Sequence, residues 1–263
     1  MYWRCAPYFL VIAAFSCAVT TYGPSLTALG EDLGTQPENL DYLFTFLSLG
    51  FFSMIPFCYR WAPRLNKDWV LFGGTAFLAV ALFLPTWFAL AGVFVAAAYA
   101  LGAGSGISEI VATAALSDAA APEKRRALLN FSQVFYCVGA IGVPAFFGLL
   151  FRAGFGWRTG FRAVGVLCVV AAFAILWHAR HVGSPPTRRR VERSRLRVLV
   201  RNRTLMTLIF GLLLYVSAEM GYAQWIATYF EKTLGASRSY ASVMVSLFWV
   251  GQFSGRILYG LVH

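Results

Sequence analysis

The sequence predicts an all-α membrane protein built as two unequal blocks of helices joined by a basic linker. Three observations predict it. The chain is 59% hydrophobic and only 13% charged, whereas a soluble domain carries about 25% charged residues. Its apolar residues gather into eight stretches of about 20 residues, the length that crosses a hydrocarbon core roughly 30 Å thick. Nine Arg residues (180, 188–190, 193, 195, 197, 201 and 203) crowd the interval between the sixth stretch and the seventh.

The eight spans are placed at 6–28, 41–60, 68–86, 88–117, 127–151, 159–178, 204–230 and 240–262. The first opens after Arg4 and stays apolar to Leu29, past any cleavage point of a leader, so it reads as a retained helix. Span 2 carries Gly50-Phe51-Phe52-Ser53 and Pro56, and span 3 opens after Lys67. Span 4 holds Gly102-Ala103-Gly104-Ser105-Gly106. That run follows no strand, so it reads as small residues for close helix crossing and not as a nucleotide loop. Gly139, Gly142 and Pro144 in span 5 are assigned to close packing and bending. Gly183-Ser184-Pro185-Pro186 ends span 6. In span 8, Gly251-Gln252-Phe253-Ser254 echoes the span 2 motif, as expected of a duplicated unit. The expected domains are a six-helix bundle at 1–179, a basic linker at 180–203, and a partial second bundle of two helices at 204–263.

Orientation follows from charge. The connection between spans 1 and 2 carries Glu31, Asp32, Glu38 and Asp41 and no base. Arg60, Arg64 and Lys67 follow span 2, and Lys124, Arg125 and Arg126 follow span 4. Of 22 basic residues, five (Arg152, Arg158, Arg162, Lys232 and Arg238) fall on the face this defines as outer, leaving 17 on the other. Lys and Arg resist translocation, so both termini are expected in the cytoplasm of a multi-pass protein of the cell (inner) membrane. The net charge of +11 belongs to these loops, which excludes nucleic acid as the expected partner and makes anionic lipid headgroups the partner of the Arg-rich linker.

The five cysteines lie scattered in apolar spans without a C-x-x-C pair and read as small core residues. His178 and His181 are spaced for one helix face but sit at a membrane exit, so they read as interfacial and not as metal ligands. Asn202-Arg203-Thr204 matches a glycosylation sequon by accident of the linker. No nucleophile triad, metal cluster or phosphate loop is found, so no cofactor, no metal and no enzyme activity are expected.

Two carboxylates, Glu109 in span 4 and Glu219 in span 7, lie inside apolar spans. A charge at the bilayer centre costs about 2.5–3.5 kcal/mol on insertion scales, so each should face the protein interior or a wet cavity. A carboxyl so placed can bind a solute or take up and release a proton; the alternative is a structural hydrogen bond to a neighbouring helix. At 100° per residue, Gly102, Ser105, Glu109 and Thr113 share one face. Tyr215, Glu219, Tyr222, Ile226 and Tyr229 form a stripe on span 7 with Trp225 at its edge. Asn130, Gln133, Tyr136 and Cys137 align on span 5, and Ser16, Thr20 and Thr27 do so on span 1. Lipid offers such groups no partners, so these faces should turn inward around one cavity. The residues assigned to solute binding are Thr20, Glu109, Asn130, Gln133, Tyr136, Glu219, Tyr222 and Trp225, with Glu109 and Glu219 also carrying protons.

With these residues placed, the chain resembles the major facilitator superfamily. The long linker after span 6, Gly156-Trp157-Arg158 between spans 5 and 6, and Gly255-Arg256 at the end of span 8 are similar to its punctuation. Residues 109–140 resemble the fucose–proton symporter branch of sugar transporters through Glu109, Pro122-Glu123, Leu129-Asn130, Gln133, Phe135 and Gly139-Ala140. Gly50-x-Phe52 with Pro56 fits the same branch. The resemblance implies a major facilitator-like bundle, with a complete six-helix half and the first two helices of the other. It implies a sugar-binding, proton-coupling role for Glu109. Thr20, Thr113 and Tyr136 stand where that branch has an acid and two Asn residues, and Arg60-Trp61-Ala62-Pro63-Arg64 is a degraded form of the acidic 2–3 loop motif common in the superfamily. The superfamily fold has twelve spans, so eight read as a truncated copy or a fragment.

The expectation is a secondary active transporter of a small polar organic solute, sugar-like and proton-coupled, working by alternating access. A drug or metabolite exporter of the same superfamily and a non-transporting remnant or membrane scaffold are the alternatives.

Overall fold

The computed structural model describes residues 2–60, 62–184 and 201–262. The Arg-rich stretch 185–200, and with it most of the expected linker, lies outside the described residues. All eight expected spans are helical. Span 1 is two helices, α1 (Tyr2–Val19) and α2 (Tyr22–Leu33). The rest are α3 (Tyr42–Arg60), α4 (Lys67–Trp87), α5 (Ala91–Ala119), α6 (Arg125–Arg152), α7 (Trp157–His181), α8 (Arg203–Lys232) and α9 (Arg238–Val262).

The break in span 1 has a local cause. Pro24 removes the amide that would bond the Thr20 carbonyl. The Thr20 hydroxyl donates to the Ser16 carbonyl at 2.8 Å, and that of Thr21 donates to the Ala18 carbonyl at 2.7 Å, a pattern that bends helices. Elsewhere the ends follow ordinary capping chemistry. Asn66 accepts from the Asp68 amide at 2.9 Å and Asn202 from the Leu205 amide at 3.2 Å, each covering an orphan donor. Asn202, the residue of the chance sequon, is thus the start signal of α8. Gly183 closes α7 in the left-handed region at φ 75°, open to glycine without steric cost.

Among the described residues, seven of these segments are long and apolar enough to cross a membrane, so the protein is a multi-pass, all-α membrane protein. In α9 the serine hydroxyls answer to neighbours. Ser239 donates to the Gly148 carbonyl and Ser246 to the Ile141 carbonyl, both at 2.7 Å.

Glycine sets the closest crossings. A Cβ on Gly102 would overlap the Leu47 carbonyl, and one on Gly50 would overlap the Tyr99 carbonyl, so α3 and α5 meet backbone to backbone. Gly104 points the other way, towards the Gly74 carbonyl and Leu78 of α4. The Gly-rich run of span 4 therefore serves two neighbours at once. Gly139 lies against Ser16 and Cys17 of α1 as expected, but a Cβ on Gly142 would meet nothing within 4 Å among the described residues. The same holds for Gly251, so the echo of Gly50 is not matched by an equivalent crossing among the described residues.

Polar side chains tie the helices at both ends. At the Glu31 end, Trp157 Nε1 donates to Asp32 at 2.6 Å and Arg158 pairs with the same carboxylate. Arg162 Nε donates to Thr86 Oγ1 at 3.2 Å. At the Lys67 end, Lys67 pairs with Asp118 at 2.9 Å. Beside it Asp68 is wholly buried, accepting from the Tyr8 hydroxyl at 2.8 Å and lying 2.9 Å from His178 Nδ1. This corrects the interfacial reading of His178, which is 2% exposed and edge-on to Tyr8. A buried carboxyl needs partners, and His178 is one of the two that α1 and α7 supply. His181 is exposed and stacks on Trp177 instead. No group of three metal-ligating side chains occurs among the described residues.

Candidate functional site

A cavity of about 320 Å³ lies between the first block and α8. Five spans line it. Span 1 gives Ile12, Phe15 and Val19, and α3 gives Leu47, Ser48, Phe51 and Phe52. Ser105, Glu109 and Thr113 come from α5, Gln133 and Tyr136 from α6, and Val216, Glu219 and Met220 from α8. The α5 contribution is the face that the 100° spacing defines. Glycines at 102 and 106 on that side let α3 approach, and the side chains one turn further on open into the space between helices.

Glu109 and Glu219 thus line the same cavity from the two blocks. Glu219 is 7% exposed, and the Tyr215 hydroxyl donates to its Oε1 at 3.2 Å. That hydroxyl also lies 3.3 Å from Gln252 Oε1 of α9. Glu109 is exposed and lines the cavity. Tyr136 lies between Phe15 and Trp249, with ring centroids 5.6 and 5.9 Å away. Its carbonyl accepts from Ser16 at 2.6 Å, which fixes α6 against α1 at the cavity wall.

Four of the eight expected residues, Glu109, Gln133, Tyr136 and Glu219, come together here. The other four are placed elsewhere. Thr20 spends its hydroxyl on the Ser16 carbonyl and lines a separate void of about 10 Å³ with Tyr136, Gln224 and Trp249. Asn130 is exposed one turn before the cavity and is not among the residues lining it. Trp225 packs edge-on to Phe44 of α3, centroids 6.0 Å apart. Tyr222 is 65% exposed, with Phe248 as its aromatic neighbour.

The reason lies in what α8 buries. Its buried positions include Ala223 and Ala227, and Gly23 of α2 would meet the Ala223 carbonyl at 3.1 Å if it carried a Cβ. Small residues permit that approach, so this face wins the interface. The tyrosine stripe, about 100° round the helix, is left outside: Tyr215, Tyr222 and Tyr229 are all exposed. Glu219 stands on the boundary between the two faces. The α3 residues of the wall were missed because Tyr42–Arg60 carries no carboxyl or amide; Ser48 among Leu47, Phe51 and Phe52 was the available signal.

A bundle of apolar helices around a central cavity, with an acid from each block, defines a polytopic membrane protein with an internal solute-sized chamber. The chain matches the Major Facilitator Superfamily over residues 8–262 and belongs to it. Among curated relatives, Protein TsgA of Escherichia coli is 24% identical over 252 residues, covering 94% of this chain and 62% of the relative. A TsgA homolog of Buchnera aphidicola is 22% identical, covering 97% of this chain and 64% of the relative. The chain therefore spans less than two thirds of the length of either. Among solved structures, a D-xylose-proton symporter superposes with TM-score 0.69 at 15% identity, over 98% of this chain and 68% of that one. A bacterial homolog of the human lysosomal transporter Spinster, in an inward-facing and occupied conformation, gives 0.68 at 16% identity, over 97% and 60%. At these identities the structural likeness speaks for the fold.

Proposed function

We propose that the protein is a secondary active transporter of a small polar organic solute, proton-coupled and working by alternating access. One observation carries this reading: a single cavity receives a carboxyl from each helical block, Glu109 from α5 and Glu219 from α8. A site shared between two blocks is exposed to alternate sides when they rock against each other. An acid inside an apolar span is expensive to keep and is normally retained for a solute or proton path. Family membership and the fold it shares with a sugar–proton symporter support the class.

In this reading Glu109 binds the solute or carries the proton, Gln133 and Tyr136 contribute hydrogen bonds, and Glu219 faces them with Tyr215 behind it. Thr20, Asn130, Tyr222 and Trp225 are not carried forward as contacts, given where their side chains lie. The bundle at 1–179, the basic segment 180–203 and the pair of helices at 204–263 act as first block, tether and moving partner. In this reading both termini lie in the cytoplasm, the protein sits in the cell (inner) membrane and the Arg-rich segment lies against anionic headgroups, which the excess of Lys and Arg in the connecting loops supports. No cofactor and no catalytic step are required.

The test is solute-driven pH change in sealed vesicles holding the protein. Glu109→Gln is expected to abolish the proton movement and to lower uptake by at least tenfold. Uptake with unchanged proton dependence in that variant would remove Glu109 from the mechanism.

A further inference from the structure

The charge balance of the cavity says more than its shape. Its lining includes two carboxyl groups and, among the described residues, no Lys, Arg or His. Two bases at the ends of the bundle have acids of their own: Lys67 holds Asp118, and Arg238 holds Glu31 and Glu231. An anionic solute entering this space would meet only like charge.

Two further features point to an occupant with donors and a positive charge. Ser105 is 1% exposed, lines the cavity, and its hydroxyl finds no hydrogen-bond partner among the described residues. Helical serines commonly turn back on their own carbonyls, as Ser25 and Ser132 do here; an orphan hydroxyl in such a place is an acceptor and donor held for something else. The rings of Phe15 and Tyr136 form one side of the same wall, and aromatic faces attract cations within about 6 Å.

We infer that the solute is an organic cation, a protonated amine on a small polar or aromatic frame, with its ammonium group against Glu109. Glu219 completes the acidic surround, Ser105 and Gln133 bond to the frame, and Tyr136 stacks on it. This rests on the transporter reading above and narrows its solute from polar to positively charged.

The test uses matched pairs in which only the charge differs: D-glucosamine against D-glucose, and benzylamine against benzyl alcohol. Equilibrium binding is measured by calorimetry on the purified protein in detergent, and uptake in proteoliposomes, at a pH where both amines are protonated. A charge-assisted hydrogen bond exceeds a neutral one by a margin worth about tenfold or more. Each amine is therefore expected to bind at least tenfold more tightly than its hydroxyl counterpart. Glu109→Gln should erase that preference, and Glu219→Gln, an independent variant should the first fold poorly, should reduce it. Glucose or benzyl alcohol bound and moved as well as its amine overturns the cation assignment and leaves the transporter standing. If none of the four is bound or moved, both readings fall. Full retention of the preference in both variants also overturns the assignment.

Discussion

The Thr27 hydroxyl of α2 donates to Glu231 Oε2 of α8 at 2.8 Å, joining side chains 204 residues apart. The other oxygen of Glu231 accepts from Arg238 Nη2 at 3.1 Å, and the same nitrogen donates to Glu31 Oε1 at 2.6 Å. One carboxylate of the second block is thus clasped between the first span and the base of α9. Close by, Ser239 donates to the Gly148 carbonyl, and Gly23 crosses the Ala223 backbone. The two blocks are pinned together at the Glu31 end, on one side of the cavity.

Arg238→Gln should loosen that clasp. Partly exposed ion pairs contribute only about 0–1 kcal/mol each, but Arg238 serves two carboxylates, and its loss leaves Glu31 and Glu231 facing each other. The expected outcome is a several-fold rise in the population open at this end. It is read as the rate at which a membrane-impermeant maleimide, applied from the Glu31 side, labels Met220→Cys in the cavity wall. Equal labelling with and without Arg238 would mean that apolar packing alone holds this end closed.

The Tyr8–Asp68–His178 cluster predicts a loss of stability with no change of fold. Asp68 is wholly enclosed, and leaving a buried polar group without its partner typically costs about 1–3 kcal/mol, more for a charged one. His178→Ala should lower the midpoint of thermal unfolding in detergent markedly, whereas His181→Ala, on an exposed histidine stacked on Trp177, should leave it nearly unchanged. Similar midpoints for the two variants would show that Asp68 gets its stabilisation elsewhere.

Asp68 also shows where sequence reading reached its limit. The eight spans were legible because length and apolarity are properties of the chain itself, and the face of α5 was legible because Ser105, Glu109 and Thr113 follow the helical period. Asp68 follows Lys67 at a helix start, where charge is ordinary, and only the packing of α1 and α7 over it makes it interior. The orientation of α8 lies beyond the sequence for a related reason. Tyrosines beside a glutamate look like a site, yet the decision belonged to Ala223 and Ala227, whose small size matters only once Gly23 is seen opposite. Period gives the faces of a helix, and the neighbour chooses among them.

That choice is testable. Tyr222→Ala removes an exposed ring from α8 and should leave both stability and solute binding within about twofold of the parent, as expected of surface positions away from special contacts. Ala223→Leu inserts bulk where α2 crosses α8, and overpacking of this kind costs about 1–3 kcal/mol. It should lower the unfolding midpoint and raise maleimide access from the Glu31 side. A larger effect from Tyr222→Ala on binding would restore the tyrosine stripe as the working face.

The sharpest contrast is between two glycines of like sequence context. Gly102 and Gly142 each sit inside an apolar helix, where replacing glycine by alanine ordinarily gains about 0.5–1 kcal/mol by restricting the unfolded chain. At Gly142 nothing stands within 4 Å of the added methyl group, so Gly142→Ala should keep that gain and raise the unfolding midpoint slightly. At Gly102 the methyl would overlap the Leu47 carbonyl and approach the Phe51 amide nitrogen to 2.9 Å. Backbone cannot rotate away as a flexible side chain would, so α3 must shift, carrying Leu47, Ser48, Phe51 and Phe52 with it. Gly102→Ala should therefore lower the midpoint and weaken solute binding together, because the helix it displaces forms one wall of the cavity. If Gly102→Ala lowered stability but left binding intact, α3 would be a buttress and not a wall, and the solute would have to sit against α1, α5, α6 and α8 alone.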